Sequence, residues 1–503
     1  MSDILLKMKK RLLIILFITI THRLVSQEIE FTEAPENFQL YPRNENNEAI
    51  VVFKGFTKKQ SAINKLLLKV YKNDSLIDIK EHYVNEKMFQ FETIIKAGLF
   101  EYSFEIFDTS QLKHTLIKQI TNVVSGDVYV ITGQSNSHAS SKTYNLSNKY
   151  CRSFGVKTGF ENYSDLDKKS RWGLATGNCL ACSGDDWEKG NSGGWFQKNE
   201  FGVGIWGMEL AYSIVKNHKI PVCIINGGSG SSTISQNLKN KEKHELETSY
   251  GRLMYRLKEA GVINSVKGLI YHQGESDSDK KYKEYSSKFE QLYLDWKSDL
   301  MSLKKIYLFQ IHPGCGGDFQ SELREIQTSI AEKYNDITIM STTGIKGHDG
   351  CHFTTNGYKE FAKRLFPIIS SDFYGQQFSK KITPPKIVEL KKIKDGKKIK
   401  LLFDQEVYVE KSKIISGERK KMEDQFWLTN FDTGVDFFSE VRNIRTSKNK
   451  IILLLKRKID FDRISWIPNS EYMESNQTYS GPWIYGKEND IGALTFHQKK
   501  LSN

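Results

Sequence analysis

Residues Val128 to Asn136 read VYVITGQSN, a run of β-formers that stops at Gly133-Gln134-Ser135-Asn136. A short, unbroken apolar run closed by a turn is the pattern of a strand buried on both faces, as in a parallel sheet; a strand with one wet face would alternate. Similar runs occupy Pro221 to Ile225, Lys267 to His272, Ile306 to Gln310 and Asp336 to Met340. Helical patterns separate them: WGMELAYSIVKNH, YKEYSSKFEQLYLDWKSDL, ELREIQTSIAEKY and TNGYKEFAKRLF. This alternation predicts an α/β domain over 126–375, a parallel sheet with helices on both faces. Ligands in such sheets bind beyond the carboxyl ends of the strands. An insertion over 141–204, rich in Gly, Asn, Ser and aromatics, is expected to lie as loops over those ends.

The flanks have a different period. In LFEYSFEIF, Phe100, Tyr102, Phe104 and Ile106 share one face while Glu101, Ser103 and Glu105 share the other. The period of two predicts a β-sandwich over 27–125. After Pro384-Pro385, IVELKKIKDGKKIKLLF sets an Asp395-Gly396 turn between two strand patterns, and KIILLLKRKI is another strand, so 380–503 reads as a second β-domain. A chain of 503 residues has room for about three domains and a large core.

The first 26 residues stand apart. A basic start, the apolar Leu12 to Ile20 and small residues before Gln27 form a secretory signal pattern, too short to span a bilayer. The expectation is a secreted or periplasmic protein, with no stable membrane insertion after cleavage near Ser26. The formal charge of +13 includes five basic residues in that segment. The remaining lysines are scattered, which reads as a solvated surface and not as a nucleic-acid site. Six cysteines are too few for a disulfide scaffold but enough for local staples. Cys179 and Cys182 form a lone C-x-x-C without the further ligands that a zinc knuckle requires.

The polar chemistry collects after the strands. Ser135 follows the first, NGGSGSS with Gly230 the second, QGES with Gln273 and Glu275 the third, and GHDGCH with Asp349 and His352 the fifth. A serine hydroxyl attacks only when a base takes its proton, and histidine has the pKa for that task near neutrality. A carboxylate three residues earlier on a tight turn can orient the ring. The developing oxyanion needs preorganised donors, which the Ser135 and Gly230 N-H groups and the Gln273 amide are placed in sequence to supply.

GDVYVITGQSN, IPVCIINGGSGSS, KGLIYHQGESDS and DGCHFTTNGY together resemble the four blocks of the SGNH hydrolases, in the branch of sialate O-acetylesterases and related carbohydrate acetyl esterases. The likeness runs from about Gly126 to Pro367. It implies a flavodoxin-like three-layer hydrolase domain, with Ser135 as nucleophile, His352 as general base, Asp349 as its carboxylate, and Ser135, Gly230 and Gln273 as oxyanion donors. No cofactor is implied, and the implied partner is an acetylated carbohydrate such as a sialic acid or an acetylated polysaccharide. The second block departs from the usual glycine-glycine-threonine, reading Gly230-Ser231-Ser232.

Other readings share these residues. Glu275 either holds the Gln273 loop or touches substrate. Trp172, Trp187, Trp195 and Phe196 in the insertion either stack on sugar or pack on one another. A metal-dependent hydrolase would use the strand-end His138, His272, His312, His348 and His352 with Glu275 and Asp349, although no H-E-x-x-H spacing is present. A non-catalytic glycan-binding protein would leave Ser135 idle. Finally, Cys315 and Cys351 follow the fourth and fifth strands, whose loops are neighbours in a sheet wound in chain order, so a disulfide between them is expected to pin the acid and base loop.

Overall fold

A computed structural model describes residues 28–502 apart from 59–60, 85–86, 140–143, 157–169, 178–200, 243–244, 394–395, 416 and 468–478. The expected signal segment, Cys179, Cys182, Trp187, Trp195 and Phe196 lie outside the described residues.

The central sheet contains β1 (Thr115–Gly133), β2 (Cys151–Val156), β3 (Ser170–Leu174), β4 (Val222–Asn226), β5 (Val266–His272), β6 (Lys305–Gln310) and β7 (Ile337–Ser341). Its order is β3-β2-β4-β1-β5-β6-β7. Pairing is parallel from β2 through β7: Val222 faces Asp127, His272 faces Gly133, and Gln310 faces Ser341. The first core strand thus sits between the second and third, the winding order of flavodoxin-like sheets. β3 is antiparallel to β2, so the sheet as a whole is mixed.

Alternation along the strands divides the core between two faces. Val128, Val130, Leu269, Tyr271, Ile306 and Leu308 pack with α2 (Ser249–Glu259), α3 (Tyr282–Asp299) and α4 (Gln320–Lys333). Tyr129, Ile131, Ile270, Tyr307 and Phe309 pack on the other face with α1 (Ile205–His218) and α5 (Thr355–Tyr374). Each such side chain, fully buried, contributes about 1.5–3 kcal/mol against the entropy of ordering the chain. The helical pattern ending at Phe366 continues through Pro367 to Tyr374.

Two expectations change. The insertion is not wholly loop over the strand ends: β2 and β3 lie within it and extend the sheet beside β4. Trp172 on β3 is buried edge-on to Phe154 at 5.5 Å, so it serves the core and not a sugar. The boundary expected at 125/126 also falls inside β1, whose first half pairs antiparallel with Tyr102–Asp108 and whose second half pairs with β4 and β5.

Before β1, the strands Ile29–Glu33, Glu48–Thr57 and Met88–Lys96 form one sheet, and Ser75–Tyr83, Lys65–Lys72 and Tyr102–Asp108 continue into β1. They enclose one apolar core that contains Phe53, Leu68, Phe91, Tyr102, Phe104 and Ile106. At the joint, Asp127 accepts a two-pronged bond from Arg43 at 2.8 and 2.7 Å and an ion pair from Lys267 at 2.5 Å. Burial pushes the Asp127 carboxyl up, but those two cations outweigh it and leave the pKa below its ordinary value.

After α5, the sheets Ile387–Ile393/Lys398–Phe403/Lys450–Leu455/Val441–Ser447 and Val435–Phe437/Phe426–Asn430/Arg463–Trp466/Phe496–Lys500 share a core that includes Phe403, Leu453, Trp466 and Trp483. The two strands expected on either side of Asp395-Gly396 pair antiparallel, with Ile393 facing Lys398, while Asp395 itself lies outside the described residues. Among the described residues no helix is long and apolar enough to cross a membrane.

Candidate active site

β1 ends at Gly133 because its backbone has φ +128° and a Cβ there would stand 2.1 Å from the His272 carbonyl oxygen. Only glycine fits so close a neighbouring strand in that conformation. The chain then turns into a single helical turn, Ser135–His138, fixed by the Gln134 carbonyl, which accepts from Ser137 N-H at 2.9 Å and Ser137 Oγ at 2.6 Å. The Gln134 side chain reaches the next strand end, where its Oε1 accepts from Gly274 N-H at 3.0 Å.

Ser135 is left half-buried, with its Oγ 2.9 Å from His352 Nε2. That is the separation at which a neutral imidazole accepts a hydroxyl proton. His352 is held by a tight turn: Asp349 N-H donates to the His352 carbonyl at 2.9 Å, and Asp349 Oδ1 accepts from the N-H groups of Cys351 at 3.0 Å and His352 at 2.7 Å. Partial burial raises the Asp349 pKa, and those two N-H bonds with the neighbouring His352 more than reverse it, so the carboxylate is favoured. Cys351 forms a disulfide with Cys315, Cα to Cα 4.7 Å, which ties this turn to the loop after β6.

Beneath the serine lies a buried polar network that the sequence reading did not resolve. Asn136 Nδ2 donates to Glu275 Oε1 at 2.8 Å and to the Cys351 carbonyl at 2.9 Å, and Asn136 Oδ1 accepts from the Tyr358 hydroxyl at 2.9 Å. One side chain therefore links the Ser135 turn, the loop after β5 and the His352 turn. Glu275, 3% exposed, also accepts from His272 Nε2 at 3.1 Å. Burial raises the Glu275 pKa, but His272 and Asn136 bring it below the ordinary value. Glu275 is thus an internal support, and the alternative in which it touches substrate is set aside.

Gln273 also departs from expectation. It is 0% exposed, and its Nε2 has the Ser232 carbonyl at 3.1 Å, Gln134 Oε1 at 3.3 Å and Asp277 Oδ2 at 2.5 Å as acceptors. An amide has two hydrogens, so this one is committed internally and braces the loops after β4 and β5. Asp277 adds a bond from Ile234 N-H at 2.7 Å, and burial raises its pKa. Gly230 lies half-buried on the loop that Ser229 N-H fastens to the Gly133 carbonyl at 2.9 Å.

The strand-end histidines are dispersed into separate tasks. His272 packs against both Phe309 and Phe361, at 5.3 and 5.5 Å, and His312 stacks on His348 at 3.8 Å. Among the described residues, no three His, Cys, Asp or Glu side chains group as a metal site would require.

Residues 125–370 match the family model described as carbohydrate esterase, sialic acid-specific acetylesterase. No curated protein sequence matches the chain. Among solved structures, a carbohydrate acetylesterase from Xanthomonas citri is similar at 14% identity over 93% of this chain and 99% of its own, with a TM-score of 0.59, which is a likeness of fold. A protein from Arabidopsis thaliana matches 49% of this chain and 99% of its own at 18% identity and a TM-score of 0.37. A family two carbohydrate esterase from Clostridium thermocellum matches 69% of this chain and 100% of its own at 11% identity and a TM-score of 0.30. Over residues 125–370, just under half of its length, the chain thus resembles the sialic acid-specific acetylesterase family of carbohydrate esterases, and the chain is a carboxylic ester hydrolase.

Proposed function

We propose that the chain is an exported serine esterase that removes O-acetyl groups from a carbohydrate through an acyl-enzyme intermediate. The observation that carries this is the 2.9 Å approach of Ser135 Oγ to His352 Nε2 at the carboxyl end of the sheet. Ser135 Oγ attacks the acetyl carbonyl as its proton passes to His352 Nε2. The carbonyl oxygen becomes an oxyanion, which in this reading accepts hydrogen bonds from the N-H groups of Ser135 and Gly230. His352 then returns the proton to the departing sugar hydroxyl, and water repeats the sequence in reverse to release acetate. Asp349 favours the imidazolium through its charge. Gln273 acts indirectly, by holding the loop that carries Gly230 through the Ser232 carbonyl.

Export is supported by the signal pattern before Gln27 and by the Cys315–Cys351 disulfide, a bond that persists in oxidising compartments. Amino-terminal sequencing of exported protein should begin near Gln27; an intact Met1 would sink that part. For the chemistry, Ser135→Ala should lower release of acetate from acetylated glycans by roughly a million-fold with the fold preserved. Turnover near that of the wild type would reject the mechanism. A chelator should leave the wild type unchanged, since none of these steps uses a metal.

A further inference from the structure

The C-terminal β-domain meets the hydrolase beside the base turn. Trp483, 2% exposed, stands edge-on to His312 with ring centroids 5.7 Å apart. Its own position is set within the C-terminal core by Tyr479, whose ring lies 4.7 Å away and whose hydroxyl donates to the Pro482 carbonyl at 2.8 Å. His312 donates from Nδ1 to the Pro313 carbonyl at 2.6 Å and stacks on His348 at 3.8 Å. His348 Nδ1 accepts the Gly350 N-H at 3.1 Å. Gly350 lies inside the turn that presents His352, and Phe353 closes the cluster edge-on to both histidines, at 5.6 and 4.6 Å.

The seam around this stack is bonded on several sides. Arg324 donates to Thr495 Oγ1 at 2.9 Å and to the Ile467 carbonyl at 2.7 Å, Gln310 Oε1 accepts from Thr495 N-H at 2.9 Å, and Thr343 Oγ1 donates to the Ala493 carbonyl at 2.7 Å. Trp483 is therefore held against the hydrolase and is not left to swing with a loose domain.

We infer that Trp483 of the C-terminal domain is a positioning residue for ester hydrolysis, fixing the His352 turn through the His312–His348 stack. The inference builds on the reading of His352 as base. Removing the indole opens space behind His312, which lets the stacked rings move and loosens the acceptor that holds Gly350. A shift of about 1 Å in a base can cost on the order of a hundredfold in rate. His348 holds an N-H only while neutral, and burial, against the nearby Asp349 and Glu275 and with His352 and His272, lowers its pKa to about 4. The brace is therefore intact at neutral pH.

The test uses the full-length protein, 4-nitrophenyl acetate as probe, and hydrogen exchange of the amides in residues 346–356. Trp483→Ala should lower kcat about 10- to 100-fold per titrated active site, leave KM within about twofold and speed exchange across 346–356. Trp483→Phe, which keeps an aromatic edge on His312, should restore both readouts. Wild-type kcat in Trp483→Ala, or unchanged exchange in that segment, would overturn the inference. If Trp483→Ala does not fold, His348→Phe replaces it, since the ring can still pack on His312 and Phe353 but offers no acceptor to Gly350; normal kcat there overturns it equally. Should Ser135→Ala retain turnover, the serine mechanism fails alone, and the exchange measurement still decides whether Trp483 holds the turn.

Discussion

The two turns that bring Ser135 Oγ to His352 Nε2 are built by opposite means. The Ser135 turn is buried: Gln134, Asn136 and Ser137 are nearly inaccessible, and their polar atoms join loops after three different strands. The His352 turn is exposed at Asp349 and His352, and it is shaped by its own backbone, an aspartate side chain and a disulfide. Ser135 is thus placed by a buried polar network, whereas His352 is placed by a local turn that a disulfide and the His312–His348 stack hold from behind. A mutation in the first should propagate into stability; one in the second should act mainly on rate.

The largest effect that can break this contrast is on the base itself. His352→Ala should lower kcat roughly a million-fold, as severe as loss of the serine, with little change in the urea midpoint. Asp349→Asn can keep the turn by accepting the same N-H groups, so its loss, on the order of a thousandfold, measures the charge alone. Undiminished kcat in that variant would reduce Asp349 to a turn former.

Asn136→Ala probes the other side at intermediate size. It strips the Tyr358 hydroxyl of its acceptor and Glu275 of a donor inside the protein, at a cost of about 2–4 kcal/mol. Because it also unlinks the Cys351 carbonyl, kcat should fall about a hundredfold. Loss of rate without loss of stability would contradict the assignment of this turn to the interior.

The smallest effect is a slope. His312 is buried and, chiefly through that burial, held well below the ordinary histidine pKa, so it stays neutral in the folded state while the unfolded chain takes a proton below about pH 6.5. A depressed folded pKa contributes stability above the unfolded value and loses it as pH falls. The free energy of unfolding from denaturant titrations should therefore decline below pH 6.5, by about 1.4 kcal/mol per pH unit for each such histidine, and His312→Phe should flatten the decline. Glu275, with its pKa lowered, loses its contribution only below about pH 4, so acid should weaken the clamp on the base before the nucleophile network. An unaltered slope in His312→Phe would remove that ordering.

Much of this was legible before any coordinates. Unbroken apolar runs ending in small polar residues located β4 to β7 to within a residue or two, and the carboxyl-terminal half of β1 but not its start at Thr115, and with them the loops that carry Ser135, Asp349 and His352. Cys315 and Cys351 pair as their places after successive strands predict. What escaped was long-range and polar. Asn136 looks like a cap residue in sequence, and nothing local says that its amide spans to Glu275 and Cys351, 139 and 215 residues away. Gln273 shows the same limit: its residue type and place fit an oxyanion donor, and only packing reveals that its hydrogens are already committed. The insertion hid β2 and β3 because short strands among glycines and aromatics have no period long enough to read.

The continuity of Thr115–Gly133 has a consequence during synthesis. The strand's first half finds its partners, Tyr102–Asp108 and Leu40–Pro42, as soon as it emerges, whereas the apolar Val128 to Thr132 must wait for residues 222–226 and 266–272. At about 5–20 residues per second the interval to residue 272 is roughly 7–28 s. For that time a finished β-domain would display an uncharged, proline-free β segment with both edges open, the kind of surface on which nascent chains aggregate. A holding factor that keeps the chain extended until Val266–His272 has been made, or export before folding begins, removes the hazard, and expression of fragments ending shortly after Gly133 should yield insoluble protein.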